Sequence, residues 1–259
     1  MNWGILGAAA GAAGLAAAGV SYVAGKAHVN NHVPVYAAHW DCRSDDHPHD
    51  VLHYVALGDS AAQGVGASSV DKGYVSLIGQ RLAAETGRPV AITNLSVSGA
   101  VSDDLVRDQL GTLDALPFTP DVVTVAIGGN DVVFPQYNLE SFASSLETIL
   151  DRVPSGSFVG DVPWFTIPGM DRQSVTMSER AAELIAEHGH HLVRIHHASR
   201  SLGYVKYYGN VARDLFHPND RGYSKWADLF WDAMVASGTI ARLSQQTQGI
   251  LDADRMLAG

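Results

Sequence analysis

Short apolar runs alternate with longer segments of helical periodicity along residues 51–259. The runs are seven or eight residues long. Those at 51–57 and 121–128 are the most apolar, and the second of these is rich in β-branched residues, as buried strands are. The segments between them carry apolar residues three or four positions apart, as amphipathic helices do. The pattern predicts strands at 51–57, 89–96, 121–128, 156–163 and 191–197, and helices at 73–87, 102–113, 138–153, 178–189 and 220–237, with another helix after 239.

The alternation of strands and helices predicts the fold class. Such an order is typical of an α/β domain in which a parallel sheet is covered by helices on both faces. Ligands of these sheets bind beyond the carboxyl ends of the strands, where the strand order reverses. Functional residues are therefore expected directly after the predicted strands.

The N-terminal part has a different composition. The stretch from Trp3 to Gly25 contains no charged residue, and 15 of its 23 residues are Ala or Gly. It is long enough to span a bilayer, but its hydrophobicity is modest and it lacks the preceding Lys or Arg of a secretory signal. Three interpretations of residues 1–25 stay open: a membrane anchor, a signal peptide, or a helix packed on a soluble domain. The first two predict a cell-envelope protein, membrane-anchored or secreted, whereas the third predicts a cytoplasmic one, and Lys26 and Arg43 favour a cytoplasmic catalytic domain.

The other boundaries follow from composition. Residues 26–50 are polar and His-rich, and they are predicted to form a linker. A catalytic domain is predicted at 51–237 and a C-terminal helix at 238–259.

The net charge of −10 disfavours binding to nucleic acid. The single cysteine, Cys42, excludes an intramolecular disulfide and a Cys-based zinc site.

Residues that suit catalysis follow the predicted strands. Ser60 comes after the first strand, in "VALGDSAAQG", and Gly99 comes after the second, in "NLSVSGA". Asn130 follows the third strand, in "GGND", while Asp214 and His217, in "DLFHPND", precede the last long helix of the domain. The topology brings these distant positions to one crevice.

These residue types complement one another chemically. A serine hydroxyl becomes a nucleophile only with a base in hydrogen-bond reach, and His217 is such a base for Ser60. Asp214 would fix the tautomer of His217 and stabilise the imidazolium. The backbone N–H groups of Ser60 and Gly99 and the side-chain amide of Asn130 would donate to the oxyanion of a tetrahedral intermediate.

At these positions the chain resembles the GDSL, or SGNH, hydrolase family. The Ser, Gly, Asn and His blocks of the family correspond to "GDS", "SVSGA", "GGND" and "DLFHPN", and its aspartate corresponds to Asp214, over roughly residues 51–235. The resemblance implies a flavodoxin-like three-layer α/β/α sandwich and hydrolysis of esters, including lipid and carbohydrate acyl esters, without a metal. Ala61 departs from the larger or hydroxyl residue that often follows the nucleophile, which leaves substrate preference open. The G-x-S-x-G elbow of α/β-hydrolases is absent, which disfavours that fold.

Two His-rich segments and Asp59 could also be assigned functional roles, but structural roles are favoured for them. The histidines could hold a metal, but on a predicted strand His191 and His196 lie on opposite faces, which favours solvated surface histidines. Asp59 is expected to hydrogen-bond the backbone of its loop rather than to react. The two segments contain His47 and His49 among Asp45, Asp46 and Asp50, and His188, His190, His191, His196 and His197.

Two groups of aromatic residues are also assigned. Trp226, Phe230 and Trp231 have helical spacing and are expected in the core. Trp164 and Phe165 follow a predicted strand and are expected to wall an acyl pocket.

The sequence therefore predicts a serine hydrolase that cleaves carboxylic esters through an acyl-enzyme, without a metal or other cofactor. The predicted catalytic residues are Ser60, Asp214 and His217, and the predicted oxyanion donors are Ser60, Gly99 and Asn130. A metal-dependent hydrolase that uses the His/Asp-rich segments and a non-catalytic envelope binding module stay open as alternatives. The partner is expected to be a small-molecule, lipid or carbohydrate ester, with membrane association through residues 3–25, and the acyl length and the acceptor, water or alcohol, stay open.

Overall fold

A five-stranded sheet lies between two layers of helices in the computed structural model, which describes residues 23–41 and 51–257. All strand pairs are parallel, and the strand order is β2-β1-β3-β4-β5. This order reverses direction at β1, which has β2 on one side and β3 on the other, so the crevice lies there. The predicted three-layer α/β/α sandwich with a parallel sheet is confirmed. The strands are β1 (Leu52–Gly58), β2 (Val90–Asn94), β3 (Val122–Ala126), β4 (Phe158–Gly160) and β5 (His191–Val193).

Residues 23–30 are helical, and one further helix precedes β1; the other helices connect successive strands and continue beyond the last one. In chain order they are α1 (His32–Asp41), α2 (Ser60–Gln63), α3 (Tyr74–Thr86), α4 (Ser102–Asp108), α5 (Leu110–Asp114), α6 (Gly129–Val133), α7 (Leu139–Arg152), α8 (Pro168–Glu187), α9 (Ile195–Ser201), α10 (Gly203–Tyr208), α11 (Asp220–Ala236) and α12 (Thr239–Leu257), with a short 3₁₀ turn at Val70–Lys72.

Apolar side chains cover both faces of the sheet. Leu105 of α4, Phe142 of α7 and Leu184 of α8 belong to the core on one face. Ile78 of α3 and Phe230 of α11 belong to the core on the other face. The amphipathic helices therefore bury their apolar stripes against the sheet, which is the source of most of their stability.

The structure corrects the predicted strand at 191–197. The strand ends at Val193, and α9 begins at Ile195. The carboxylate of Asp161, at the end of β4, accepts the backbone N–H of His196 at 2.8 Å. A carboxylate at this point satisfies a free N–H of the first helical turn and favours helix over strand.

Two predicted helices also have different bounds. The helix predicted at 178–189 begins at Pro168, because proline suits the first turn of a helix. The helix predicted at 102–113 is divided at Gln109. The side-chain amide of Gln109 donates to the carbonyl of Gly58 at 2.7 Å and accepts its N–H at 3.0 Å, which ties the break to the end of β1.

An α-helix lies within the stretch predicted as a linker at 26–50. Tyr36 of α1 is buried, and its hydroxyl donates to the carbonyl of Ala67 at 2.8 Å. The indole N–H of Trp40 donates to the carbonyl of Gln63 at 3.1 Å. The helix therefore packs on the loop that follows Ser60.

In the ranges 23–41 and 51–257, the helices lack the combination of length and apolar character that crossing a bilayer requires. Most of the predicted N-terminal segment, residues 1–22, lies outside the described residues, as do residues 42–50 with Cys42.

Candidate active site

Ser60 is held at the carboxyl end of β1 by a sharp turn. Gly58 has a φ of 146°, and a Cβ at this position would lie 2.2 Å from the carbonyl oxygen of Ala126, so the turn requires glycine. Asp59 then caps α2, since its side chain accepts the N–H of Ala61 at 2.8 Å. The expectation that Asp59 bonds loop backbone is confirmed.

Three of the predicted residues form a continuous hydrogen-bonded chain. Oγ of Ser60 lies 2.8 Å from Nε2 of His217, and Nδ1 of His217 lies 2.5 Å from Oδ2 of Asp214. All three side chains are mostly buried, since His217 is 13% exposed and Asp214 is 5% exposed. Burial raises the pKa of Asp214, but bonds from His217 and the backbone outweigh it, so its pKa lies below the usual value. Asp214 is therefore held as an anion beside the imidazole.

The loop before α11 is shaped to orient His217. The other oxygen of Asp214 accepts the backbone N–H groups of Phe216 and His217, each at 3.1 Å. The N–H of Ala212 donates to the carbonyl of His217 at 2.7 Å, which closes the loop. Leu215 lies between them with a φ of 59°, a conformation that a residue with a Cβ adopts rarely.

Gly99 and Asn130 come from two further strand ends. Gly99 has a φ of 85°, and a Cβ there would meet nothing within 4 Å, so the space in front of this turn is free. One N–H of the Asn130 side chain donates to the carbonyl of Ala100 at 2.8 Å. The amide has a second N–H, which is available to a ligand. A Cβ on Gly129 would lie 3.8 Å from Oδ2 of Asp59, so the turn carrying Asn130 adjoins the turn carrying Ser60.

Buried polar residues that the sequence analysis did not identify fix these turns to one another. Asp131 accepts the hydroxyl of Ser102 at 2.6 Å and its N–H at 3.0 Å, which joins α6 to α4. Gln63 donates to the carbonyl of Ser96 at 2.8 Å, and Asn94 donates to the carbonyl of Ala62 at 2.8 Å. In the sequence, these residues are recognisable only as polar side chains at a strand end or in a small-residue loop that is expected to be buried. A buried polar side chain is expected to have a hydrogen-bond partner.

A cavity of about 80 Å³ opens beside Ser60 and His217. Trp164 and Phe165 line it, as predicted, and the hydroxyl of Tyr207 donates to the carbonyl of Trp164 at 3.1 Å. Most of the other lining residues are apolar or aromatic, so the cavity suits the hydrocarbon part of a ligand.

The aromatic residues of α11 divide between core and cavity. Phe230 is fully buried, and the half-buried Trp226 and Trp231 pack against the same core, as predicted. Trp226 also lines the cavity beside Ser60, which corrects its assignment to the core alone.

His190 and His196 are each 8% exposed, which corrects their assignment to the solvated surface. His190 is hydrogen-bonded through Nε2 to the carbonyl of Leu150 at 2.8 Å, and His188 is bonded through Nδ1 to the carbonyl of Leu184 at 2.8 Å. Residues 23–41 and 51–257 contain no group of three His, Cys, Asp or Glu side chains placed to hold a metal ion. The segment with His47 and His49 lies outside these ranges.

Comparisons with known proteins agree with the resemblance of the sequence motifs. The family model described as "GDSL-like Lipase/Acylhydrolase family" matches residues 56–225. Lipase 1 of Streptomyces coelicolor is 31% identical over 138 residues, which are 49% of this chain and 48% of that protein. GDSL-like esterase Rv1075c of Mycobacterium tuberculosis is 33% identical over 85 residues, 33% of this chain and 26% of that protein. The chain thus spans about half of the first relative and about a quarter of the second.

A solved structure shares the fold. The lipase/acylhydrolase from Enterococcus faecalis superposes with a TM-score of 0.58 at 19% identity, over 71% of this chain and 95% of that chain.

Proposed function

The chain belongs to the GDSL-like lipase/acylhydrolase family, and we propose that it hydrolyses carboxylic esters through a covalent acyl-enzyme on Ser60. The observation that carries the proposal is the hydrogen-bonded chain from Ser60 through His217 to Asp214, at the edge of an apolar cavity. A nucleophile, a base and a group that orients the base are what acyl transfer requires.

In the acylation step, Oγ of Ser60 attacks the ester carbonyl while Nε2 of His217 takes the hydroxyl proton. The tetrahedral intermediate collapses, the carbon–oxygen bond to the alcohol breaks, and His217 returns the proton to the leaving oxygen. Asp214, kept ionised by its hydrogen bonds, stabilises the imidazolium. In the second step His217 takes a proton from water, and the water oxygen attacks the acyl carbon. The bond between the acyl carbon and Oγ of Ser60 then breaks, His217 returns the proton to Oγ, and the carboxylic acid leaves.

The negative oxygen of each intermediate needs donors that are already in position. We assign this role to the backbone N–H groups of Ser60 and Gly99 and to the second side-chain N–H of Asn130. The free space in front of Gly99 and the fixed first N–H of Asn130 support the assignment. Each donor of this kind contributes about 2.7–4 kcal/mol to the transition state.

The size of the cavity favours a short acyl group. About 80 Å³ holds on the order of five to eight water-sized groups, so a short acyl chain fits inside and a long fatty acyl chain does not. The alcohol part of the ester would then lie outside the cavity. The proposed location stays the cell envelope, on the strength of the apolar composition of residues 3–25.

Turnover of nitrophenyl esters from acetate to palmitate, measured on the full chain with a chelator present, tests the proposal. Ser60→Ala should abolish hydrolysis and labelling by a fluorophosphonate. Ser199→Ala is the matched control, since Ser199 lines the same cavity but bonds the carbonyl of Ile195, and this variant should still be labelled. Activity that survives in folded Ser60→Ala would refute the serine mechanism, and loss of activity with the chelator would favour a metal-dependent hydrolase. Absence of both turnover and labelling in the folded chain would favour a binding module.

A further inference from the structure

A basic segment interrupts this acidic protein. The chain has a net charge of −10, yet residues 188–213 contain no Asp or Glu. They contain four permanently charged cations, Arg194, Arg200, Lys206 and Arg213. Among residues 23–41 and 51–257, none of the four forms an ion pair with a carboxylate, although the charge of Arg194 acts on the carboxylate of Asp161.

The same segment exposes apolar and aromatic side chains. On α10, Val205 is 89% exposed, Tyr204 is 58% exposed and Tyr208 is 46% exposed. Ile167, at the start of α8, is 58% exposed. We name Ile167, Tyr204, Val205 and Tyr208 the rim patch.

The rim patch borders the mouth of the catalytic cavity. The ring of Tyr204 lies 5.2 Å from that of Trp164, which lines the cavity. The hydroxyl of Tyr208 lies 2.9 Å from Oγ1 of Thr166, which joins α10 to the loop that carries Ile167. The neighbouring residue Tyr207 is buried and lines the cavity, so one short helix forms both the cavity wall and the exposed rim.

We propose that the rim patch binds the surface of an anionic lipid bilayer, with Val205 among the acyl chains and Lys206 against the phosphates. Exposed tyrosine and aliphatic residues interleaved with a cation are the composition of segments that lie at membrane interfaces. Anionic lipid attracts this basic segment and repels the acidic remainder, so charge alone orients the cavity mouth toward the lipid. A second copy of the chain is a poorer partner, because symmetric pairing through α10 would bring two copies of Lys206 together. The inference goes beyond the proposed function, since adsorption requires no hydrolysis.

An environment-sensitive fluorophore on the full chain tests the contact at one residue. The single cysteine is removed by Cys42→Ser, and the dye is attached through Val205→Cys or, as the matched control, Val235→Cys. Val235 is 54% exposed at the far end of α11, a helix about 25 Å long that begins at the site. Vesicles of equal parts phosphatidylglycerol and phosphatidylcholine should shift the emission at 205 to the blue and leave that at 235 unchanged.

Charge is tested in the same labelled chain. Lys206→Glu should raise the lipid concentration for half-maximal response at least about fivefold, since one cation near an anionic surface contributes about that factor. Arg242→Glu makes the same charge change near the amino ends of the strands, where Arg242 donates to the carbonyl of Asp121 directly before β3. This variant should leave the response unaltered.

Several results would overturn the proposal: no response at 205, an equal response at 235, an equal response to pure phosphatidylcholine, or self-association that Val205→Asp abolishes. Turnover of a soluble nitrophenyl ester by the labelled chain is measured in parallel. A vesicle response without turnover and without labelling by a fluorophosphonate would refute the proposed function and leave the lipid contact standing, whereas turnover without a vesicle response would do the reverse.

Discussion

Replacing Asp214 by asparagine should nearly abolish turnover while the fold persists. Oδ2 of Asp214 lies 2.5 Å from Nδ1 of His217, so the carboxylate keeps the ring proton on Nδ1 and leaves Nε2 free to accept. An amide presents an N–H to Nδ1, which moves the ring proton to Nε2. The imidazole then offers an N–H, instead of a lone pair, to Oγ of Ser60 at 2.8 Å.

The expected loss in kcat is about 10⁴-fold, the effect of the same change in another serine hydrolase. At 1.36 kcal/mol per factor of ten, this corresponds to about 5 kcal/mol of transition-state stabilisation. The free energy of unfolding should fall by less, about 1–3 kcal/mol, the contribution of one hydrogen bond to a charged group. The remaining oxygen still accepts the backbone N–H groups of Phe216 and His217, which holds the loop.

The assay is kcat on nitrophenyl butyrate, with urea unfolding of each variant. Asp161→Asn is the matched control, because Asp161 is equally buried and accepts the hydroxyl of Ser178 and the backbone N–H of His196. These hydrogen bonds, unlike that of Asp214, involve no imidazole ring. The control should keep the turnover of the parent chain. If folded Asp214→Asn retained activity within about tenfold of the parent, the tautomer argument would be refuted.

Three further changes test other parts of the structure. Gly58→Ala places a Cβ 2.2 Å from a backbone oxygen, so this variant should lose at least about 3 kcal/mol of unfolding free energy in urea, and an unchanged midpoint would contradict the turn geometry. Asn130→Ala should lower kcat about 10²–10³-fold, with a smaller change in KM, in steady-state kinetics, and a change in KM alone would remove Asn130 from the oxyanion site. Burial raises the pKa of Asp161 from 3.8 to about 6, so its contribution to stability is full below about pH 4 and is lost as the pH rises through 6. Asp161→Asn should therefore gain about 2–3 kcal/mol relative to the parent between about pH 4 and pH 8 in denaturant unfolding, and a gain independent of pH would argue against a buried proton.

Buried strands and amphipathic helices could be predicted from the periodicity of apolar residues alone. The strand predicted at 121–128 is mostly apolar and β-branched, and the helix at 138–153 has both an amphipathic stripe and Asn138 as its cap. The second half of the predicted strand at 191–197 failed because the carboxylate of Asp161, distant in sequence, caps α9. Contacts of this kind leave no local pattern.

Part of the candidate site was predictable because the parallel strands β1, β2 and β3 end at one edge of the sheet. Asp214 and His217 lie beyond α9 and α10, so only their residue types and motif identified them. The 2.8 Å separation of Ser60 and His217 depends on turns whose course no periodicity describes. The position of Trp226 could likewise be predicted only in part. Helical spacing placed it in the core, but its position near the start of α11 also brings its ring to the cavity.

The packing of the N-terminal helical residues affects how far the chain can be truncated from its N-terminus without disturbing the candidate site. Tyr36 and Trp40 hold the loop behind Ser60, while a Cβ on Gly25 would lie 2.6 Å from the carbonyl oxygen of Arg213, beside the loop that carries His217. Residues 23–30 and α1, which a turn at Asn31 separates, thus contact the loops that carry Ser60 and His217, two residues 157 positions apart in sequence. The smallest unit that folds with an intact candidate site is therefore expected to start ahead of residue 25, and truncation at Val51 should disturb the contact between Ser60 and His217.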